Sequence, residues 1–244
     1  MSEIKLYNGD CLQVMDKLIA DGIKVDAIIT DPPYGTTACK WDSVIPFDKM
    51  WLRINNLIKD NGAVVLFGNE PFSSLLRTSN LMGYKYDWKW IKPNSTTPNI
   101  ANKQPMRRYE DVMIFGTTIY YPQMRTGIPY EWRARRSGGV AGGIQYKYDR
   151  QIINTGTRYP TNVIEFSQER GFHPTQKPVD LIKYLVKTYT KENETVLDFT
   201  MGSGTTGVAC KLLNRNFIGI ELDENYFKIA EERINNTIVR KGLF

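Results

Sequence analysis

Short aliphatic runs alternate with amphipathic segments along most of the chain, and this alternation restricts the possible folds more than any other feature. Some runs, such as residues 27–29 and 63–67, are apolar at every position, which is typical of strands covered on both faces. The segments between them repeat apolar residues every three or four positions, as one face of a helix does. The sequence therefore predicts an α/β fold with helices packed on a mostly parallel sheet.

These patterns predict seven strands and five helices. The strands are Ile4–Tyr7, Asp26–Thr30, Ala63–Phe67, Val112–Phe115, Val163–Phe166, Thr195–Phe199 and Phe217–Leu222. The helices are Leu12–Ala20, Phe47–Ile58, Val179–Tyr189, Thr205–Leu213 and Asn225–Ile238. Asp223 is predicted to cap the last helix, and AspAsnGly at 60–62 to end the second one. Residues 92–172 show little regular pattern, which is typical of a functional segment.

Composition excludes several classes of protein. With 244 residues, 41% of them hydrophobic and 24% charged, the chain is not disordered, collagen-like or coiled-coil. Its longest apolar runs are far shorter than the roughly 20 residues that cross a bilayer, and the N-terminus lacks the pattern of a secretion signal. Three scattered cysteines and one histidine argue against a disulfide framework and against a metal site. We therefore expect a cytoplasmic protein without a membrane partner or a bound metal.

AspProProTyr at 31–34 is the first motif with chemical content, and it directly follows the predicted strand Asp26–Thr30. Two consecutive prolines fix two φ angles and make a rigid turn, although Asp and Pro are also common in plain turns. Ligand sites of open α/β sheets lie beyond the carboxyl ends of the strands. The motif therefore offers the Asp31 carboxylate, the Pro32 carbonyl and the Tyr34 ring where a ligand is expected.

A second motif, ValLeuAspPheThrMetGlySerGlyThrThrGly at 196–207, combines a strand, a glycine-rich turn and the start of a helix. Its glycines satisfy the G-x-G-x-x-G pattern of dinucleotide-binding folds, and Glu221 lies 23 residues after Asp198. An NAD-dependent oxidoreductase is one interpretation of this pattern. The carboxylate of Asp198 would repel a pyrophosphate, however, and it suits a cationic ligand such as S-adenosyl-L-methionine.

Together, these residues resemble the amino-methyltransferases that modify DNA bases with S-adenosyl-L-methionine. In that family AspProProTyr is the catalytic motif and Asp-Phe-x-x-Gly-x-Gly is the cofactor motif. Here the catalytic motif comes first, and HisProThrGlnLysPro at 173–178 precedes the cofactor motif. That order resembles the β group of the family, a circular permutation of the usual arrangement. The resemblance covers about 5–91 and 173–236, matches more weakly at 88–94 and 109–111, and implies a Rossmann-like methyltransferase fold.

The resemblance also implies a reaction and assigns residues to it. The enzyme would transfer a methyl group to N6 of an adenine flipped out of duplex DNA, or alternatively to N4 of a cytosine. Its catalytic residues would be Asp31, Pro32, Pro33 and Tyr34, with Tyr34 stacking on the flipped base. The residues implied to bind the cofactor are Asp10, Cys11, Asp31, Thr175, Lys177, Asp198, Phe199, Gly202, Ser203, Gly204, Thr205, Thr206, Glu221 and Leu222. Asp10 is also placed to cap the helix that begins near Leu12.

The positive charge of the chain is concentrated in one segment. Residues 85–150 contain twelve Lys and Arg but five Asp and Glu, so this segment carries +7 while the remainder carries −1 of the overall +6. Aromatic residues are interleaved with these basic ones, Trp88 and Trp90 among them, a combination suited to DNA phosphates and bases. The predicted DNA contacts are Arg107, Arg108, Arg133, Arg135 and Arg136. We expect 116–172 to be a target-recognition insert between a catalytic part, 1–115, and a cofactor-binding part, 173–244, of one methyltransferase domain.

Other interpretations stay open at this point. An NAD-dependent oxidoreductase would explain the glycine pattern. A second alternative is a DNA-binding module that keeps the fold without catalytic activity. An RNA substrate is also compatible with the catalytic motif, which recognises an amino group and not a sugar. The intact sets Asp31–Tyr34 and Asp198–Glu221 argue against the non-catalytic module. Duplex DNA is the expected partner, while the sequence leaves open a homodimer and a cognate restriction endonuclease.

Overall fold

A computed structural model describes residues 2–35, 43–116, 119–133, 140–141, 144–145, 151–169, 171–172 and 175–239. The helices are α1 (Cys11–Ala20), α2 (Phe47–Leu57), α3 (Phe72–Ser79), α4 (Val179–Tyr189), α5 (Thr205–Leu212) and α6 (Glu224–Asn235). The strands are β1 (Ile4–Asn8), β2 (Val25–Thr30), β3 (Ile58–Gly68), β4 (Tyr84–Thr96), β5 (Arg107–Gly116), β6 (Arg125–Thr126), β7 (Tyr130–Arg133), β8 (Val140–Ala141), β9 (Ile144–Gln145), β10 (Gln151–Asn154), β11 (Thr157–Arg158), β12 (Val163–Glu165), β13 (Thr195–Asp198) and β14 (Asn216–Glu221).

One sheet of eight strands organises the larger part of the chain, in the order β1-β14-β13-β2-β3-β5-β4-β12. Pairing is parallel from β1 through β3 and again between β4 and β12. β5 pairs antiparallel with both of its neighbours, so it alone among these eight strands runs in the opposite direction. This arrangement confirms the predicted α/β fold with a mostly parallel sheet.

Helices cover both faces of the sheet. On one face, α4, α5 and α6 bury residues such as Leu185, Ala209 and Ile234 against the strands. On the other face, α1, α2 and α3 bury a second apolar cluster that includes Met15 and Ile54. The apolar runs are therefore covered on both sides, as their continuous hydrophobicity predicted. No helix among the residues described has the length and apolarity needed to cross a membrane.

Two neighbouring strands at the centre of the sheet connect in opposite directions. β13 continues through α5 to β14 on one side, whereas β2 continues through α2 to β3 on the other side. α5 and α2 also belong to opposite faces of the sheet. A crevice opens at such a reversal of strand order, beyond the carboxyl ends of the strands. The fold therefore brings together two motifs that are more than 160 residues apart in the sequence.

Several local predictions were wrong. AspAsnGly at 60–62 does not end a helix, because α2 stops at Leu57 and Ile58 already begins β3. The pairing of β3 with β2 jumps from Ile58 to Ala63 there, so residues 59–62 form an irregularity inside the strand. The sequence patterns also missed α3 and β4. Both lie in the second half of the catalytic part, where polar residues interrupt the apolar spacing.

The segment from 92 to 116 is more regular than its sequence suggests. β4 and β5 form a long antiparallel pair whose register shifts between Ile91, opposite Tyr109, and Thr96, opposite Arg107. Pro93 lies in this shift, as expected for a residue that cannot donate a ladder hydrogen bond.

Two aromatic residues of the basic segment belong to the core. Trp88 and Trp90 are each only 2% exposed and pack in the main hydrophobic cluster. Their burial corrects the expectation that they belong to a DNA-binding surface. The indole N–H groups are satisfied internally, by the Tyr189 hydroxyl at 2.7 Å and the Phe166 carbonyl at 3.0 Å.

Contacts divide the chain into a main unit, Met1–Tyr121 with Asn162–Phe244, and a small unit, Pro122–Thr161. Within its described residues the small unit contains three two-stranded sheets, which pair β10 with β7, β11 with β6 and β8 with β9. The Arg158 guanidinium lies 4.6 Å from the centre of the Tyr130 ring, and Trp132 is exposed. This unit is narrower than the expected insert 116–172, since β12 is a strand of the main sheet. Its role in DNA recognition stays a prediction.

Candidate active site

Two motifs meet where β2 and β13 end side by side. The Thr30 hydroxyl, at the end of β2, donates to Asp198 Oδ1 at 2.6 Å, and Asp198 ends β13. The Thr200 hydroxyl oxygen lies 2.7 Å from that of Thr30 and donates to the Asp31 carbonyl at 3.1 Å. Short hydrogen bonds between side chains and backbone thus tie the turn after β2 to the turn after β13.

A cavity of about 740 Å³ opens at this junction, within the main unit. Its size is that of a site for a ligand of several hundred daltons. Its lining contains most of the residues assigned from the sequence: Asp10, Cys11, Asp31, Pro32, Pro33, Tyr34, Thr175, Lys177, Asp198, Phe199, Gly202, Ser203, Thr205, Thr206, Glu221 and Leu222. The structure therefore brings the catalytic and cofactor assignments into one space.

Gly204 is the cofactor-binding assignment that the cavity lining does not include. It caps α5 with a left-handed φ of 77°, and a Cβ there would lie 2.9 Å from the Ala230 Cβ. A glycine is needed at this position because the turn approaches α6 closely. Its contribution to the site is the shape of the turn.

Of the arginines assigned to DNA, Arg107 and Arg108 are described with their side chains, and neither lines the cavity. Arg107 and Arg108 begin β5, and they donate to the backbone carbonyls of Glu70 and Lys92 at 3.2 and 3.3 Å. The backbone of Arg133 belongs to β7. Arg135, Arg136 and the pair 173–174 lie outside the described residues.

Asp198 is a buried carboxylate whose hydrogen-bond partners are uncharged. Its oxygens accept from the hydroxyls of Thr30 and Thr206, both at 2.6 Å, and from the Thr200 N–H at 3.2 Å. Burial raises the pKa of Asp198 to about 6, against the effect of these hydrogen bonds, and the nearby charge of Asp31 raises it further. The site can therefore stabilise a positively charged group.

The Glu221 carboxylate, at the end of β14, is placed by two backbone amides. The N–H groups of Gly202 and Asp223 each donate to one of its oxygens at 2.8 Å. Burial raises the pKa of Glu221, with these two bonds acting in the opposite direction. A carboxylate has about four lone-pair directions, so each oxygen retains one for a hydroxyl of a ligand.

The loop between β1 and α1 forms another part of the cavity wall. Asp10 caps α1 by accepting the Gln13 N–H at 3.0 Å, which confirms the capping role expected from the sequence. Cys11 follows it, and burial raises the pKa of its thiol to about 12, helped by the charge of Asp10. The thiol is therefore neutral, and its cofactor role stays a prediction.

The guanidinium of Arg233 contacts the residues at the N-terminus of α5. Arg233 Nη1, on α6, donates to the Ser203 carbonyl at 3.1 Å, the Ser203 hydroxyl at 3.3 Å and the Thr205 hydroxyl at 3.0 Å. Its guanidinium also lies 4.7 Å from the centre of the Phe172 ring. Positive charge thus adds to the partial charge of the helix N-terminus, and both favour an anionic group nearby.

At the other end of the cavity, five side chains form a charged cluster. The Lys177 ammonium contacts Asp31 Oδ2 and, at 3.0 Å, Glu110 Oε1. The Tyr34 hydroxyl lies within hydrogen-bond distance of Asp31 Oδ1 and, at 3.0 Å, of Glu110 Oε1, and its one hydrogen can be donated to either. Lys92 Nζ lies 2.7 Å from Glu110 Oε2. We call this set of residues the acid–lysine cluster.

The pKa values of the two acids in the acid–lysine cluster are shifted in opposite directions. Burial alone would raise the pKa of Glu110, but the ammonium groups of Lys177 and Lys92 hold it at about 2. For Asp31 burial prevails over the attraction of Lys177, and its pKa is raised. Burial would lower the pKa of Lys177, yet the two carboxylates raise it above its ordinary value, so the lysine is charged.

Glu110 and Lys92 are site residues that the sequence assignments missed. Their only signal was the weak family match at 88–94 and 109–111, which contains both residues. Lys92 follows Ile91 directly, where the register of β4 with β5 shifts, and no residue pattern predicts this shift. Lys177, assigned to the cofactor, contacts the carboxylate of the catalytic motif instead; its cofactor role stays a prediction. Among the residues described, no cluster of His, Cys, Asp and Glu could hold a metal ion.

Comparisons with known proteins agree with this geometry. The model of the N6_N4_Mtase family, described as DNA methylase, matches residues 25–232. Type II methyltransferase M1.MboII of Moraxella bovis is 26% identical over 95% of this chain and 96% of its own length. Type II methyltransferase M.HpaI of Haemophilus parainfluenzae is 29% identical over 87% of this chain and 68% of its own length.

Solved structures give the same picture. The crystal structure of the M1.HpyAVI–SAM complex has a TM-score of 0.65 and 28% identity to this chain, covering 95% of this chain and 99% of that one. The cytosine-N4-specific PvuII DNA methyltransferase has a TM-score of 0.64 at 17% identity, covering 98% of this chain and 89% of its own. The second likeness concerns the fold alone.

Proposed function

Because this chain belongs to the DNA methylase family of N6 and N4 amino-methyltransferases, we propose that it methylates adenine at N6 in duplex DNA, with S-adenosyl-L-methionine as methyl donor. The observation that carries the proposal is the position of two acids, Asp31 and Asp198, in one cavity. Asp31 opens the catalytic motif directly after β2, and Asp198 ends β13, the strand that precedes the glycine-rich turn. An acceptor for a substrate amino group and an acceptor for a cationic cofactor are therefore adjacent.

The residues around Asp198 fit the cofactor. A buried carboxylate with uncharged partners suits a ligand that carries positive charge, as S-adenosyl-L-methionine does. When bound, the cofactor supplies an activated methyl group. Glu221 retains lone pairs for ribose hydroxyls, and Ser203 and Thr205, backed by Arg233, favour a carboxylate. The remaining cofactor assignments, including Thr175 and Lys177, are carried into this proposal.

The AspProProTyr motif acts on the amino group of the base. The amino nitrogen of adenine is a poor nucleophile because its lone pair is delocalised into the ring. The Asp31 carboxylate and the Pro32 carbonyl accept its two hydrogens and localise the lone pair on nitrogen. Hydrogen bonds placed where charge develops, together with the position of the base, supply most of the catalysis. Pro33 keeps the turn rigid, and the Tyr34 ring stacks on the base.

Access to the amino group requires that the base leaves the duplex, because the reacting atom cannot be reached inside it. The basic residues of the chain then hold the flanking DNA through its phosphates. We assign this role to Arg107, Arg108, Arg133, Arg135 and Arg136, and the reading of sequence to the region 116–172. A homodimer and a cognate restriction endonuclease stay predictions.

Nucleoside mass spectrometry tests the choice of base. Duplex DNA is incubated with the protein and S-adenosyl-L-methionine with an isotopically labelled methyl group, digested and analysed. We expect the label in N6-methyladenine. Label in N4-methylcytosine would refute adenine specificity and support the second family activity, since Asp as first motif residue is the only observation that favours adenine. The variant Asp31→Ala serves as the control without catalytic carboxylate and should incorporate no label.

Two further measurements address the alternatives. Calorimetry should detect binding of S-adenosylhomocysteine and no binding of NAD; the reverse result would favour an oxidoreductase. Competition between duplex DNA and RNA of the same sequence, at one salt concentration, should favour DNA. Preferred binding of the RNA would transfer the proposal to an RNA substrate.

A further inference from the structure

The Lys177 ammonium and the Tyr34 hydroxyl each contact both acids of the acid–lysine cluster. Each bonds one oxygen of Asp31, and both converge on Oε1 of Glu110 at 3.0 Å. Among the described residues these two groups are the side-chain partners of the Asp31 carboxylate. Each oxygen of Asp31 therefore has one donor in the structure, and one of the two donors is a cation.

The contact with Lys177 conflicts with the proposed role of Asp31, on which the inference rests. A carboxylate that accepts hydrogens from a substrate amino group needs its electron density directed at that group. A lysine cation in contact with the same carboxylate competes for it, and it also repels the positive charge that develops on the attacking nitrogen. Methyl transfer is therefore faster if Lys177 has left Asp31 by the time the amino group is in place.

Glu110 offers the alternative acceptor. Its side chain is only 4% exposed, and it already contacts Lys177 and Tyr34. Lys92 fixes its second oxygen at 2.7 Å, which leaves Oε1 for the two shared donors. With its pKa held at about 2 by the two lysines, Glu110 is ionised at neutral pH. Either donor can release Asp31 while keeping a charged partner, so the exchange leaves no buried cation alone.

We infer that Glu110 is a positioning residue: it takes over Lys177 and the Tyr34 hydroxyl when the substrate amino group reaches Asp31. Glu110 does not contact the reacting atoms in this role. It determines where Lys177 lies, and thereby whether Asp31 is available. An ion pair of purely structural function would stabilise the fold to the same degree in every state of the reaction.

Two double variants with equal charge distinguish these roles. Glu110→Gln leaves Lys177 with Asp31 as its one charged partner, and should lower kcat by about 10- to 100-fold, the effect of one charge-assisted hydrogen bond. Adding Lys92→Gln or Lys177→Gln restores the cluster to neutrality in either case. The double variant with Lys92→Gln keeps Lys177, the cation that competes for Asp31, so its kcat should stay low. The double variant with Lys177→Gln removes that cation, so its kcat should rise at least several-fold above that of Glu110→Gln. Saturating cofactor separates any loss of cofactor affinity from this comparison.

Asp111→Asn is the matched control. Asp111 is the next residue of β5, equally buried, and it pairs with Arg77 and Lys89 away from the cavity. This variant should lose thermal stability but retain kcat. Glu110→Asp, which keeps the charge, should retain more activity than Glu110→Gln. Equal kcat values for the two double variants would overturn the inference alone. A wild-type protein that methylates neither base would overturn the proposed function and the inference with it.

Discussion

Replacement of Asp198 by Asn should stabilise the cofactor-free protein and weaken cofactor binding, and both effects have one cause. The carboxylate is buried without a cationic partner, and its pKa is raised from an ordinary 3.8 to about 6. An acid with a raised pKa in the folded state contributes most stability when protonated, below about pH 4. This contribution is lost as the pH rises through 6. At pH 8 the ionised side chain therefore destabilises the fold.

The size of the effect follows from the shift. A difference of about two pKa units corresponds to about 3 kcal/mol of unfolding free energy. Asparagine has the shape of aspartate, and it can still accept from Thr30 while the Thr206 hydroxyl turns to accept from its amide. For a chain of this length 1 kcal/mol is about 2–4 °C, so Tm at pH 8 should rise by about 6–12 °C at most. Loss of the charge should weaken S-adenosyl-L-methionine binding by about 10- to 100-fold.

Thermal unfolding of the cofactor-free wild type and variant, at pH 8 and at pH 4.5, tests the stability change, and calorimetry tests the binding. The stability gain should fall to about a third at pH 4.5, or about 1 kcal/mol, because the folded-state carboxyl is then protonated while the unfolded-state one is still largely ionised. Asp26→Asn is the control: Asp26 lies in the same sheet, on β2, and pairs with Lys59 Nζ at 2.6 Å, so its replacement should give no gain. A lower Tm of the Asp198 variant at pH 8, or the same gain at both pH values, would refute the reasoning.

Three other changes test separate parts of the molecule. Asp31→Ala should lower methyl transfer at least about 100-fold, while calorimetry should find cofactor binding largely intact; equal loss of both would mean that Asp31 serves the cofactor. Gly204→Ala should lower the unfolding free energy by about 1–3 kcal/mol in urea titrations, because the left-handed turn leaves no room beside Ala230; unchanged stability would contradict this packing. Neutralising three arginines should weaken DNA binding and reduce its slope against log salt by about 1 for each phosphate that is no longer neutralised, without altering cofactor affinity. These arginines are Arg133, Arg135 and Arg136, and an unchanged salt slope would show that they do not bind phosphates.

The fold was predictable where the information is local. The strands β2 and β13 are continuous apolar runs, and the motifs after them contain the residues that define their turns. General rules for parallel sheets then place both turns at the carboxyl edge. The meeting of Asp31 and Asp198 in one cavity follows from these two facts, although the residues are far apart in sequence.

Other parts of the site depend on long-range pairing and were therefore not predictable. Glu110 and Lys92 line the cavity from β5 and β4, two strands whose pairing is set by the strand order of the sheet and whose register shifts after Ile91. Neither the strand order nor the register shift can be recognised from the types or spacing of the residues concerned. The partners of Lys177 escaped prediction for the same reason, since a lysine in a loop is compatible with many acceptors.

Asp31 and Asp198 are the same type of residue in the same cavity, yet the chain prepares them differently. Asp198 has only neutral hydrogen-bond donors, so a cationic ligand that stays bound through the reaction finds no protein cation to displace. In the proposed reaction, Asp31 accepts hydrogens of a neutral amino group that becomes positively charged only in the transition state. Until then its charge needs compensation, and Lys177 provides this while remaining within reach of Glu110. A fixed counterion at Asp31 would slow methyl transfer, and a mobile counterion at Asp198 would weaken cofactor binding. Exchanging the surroundings of the two acids should therefore impair both methyl transfer and cofactor binding.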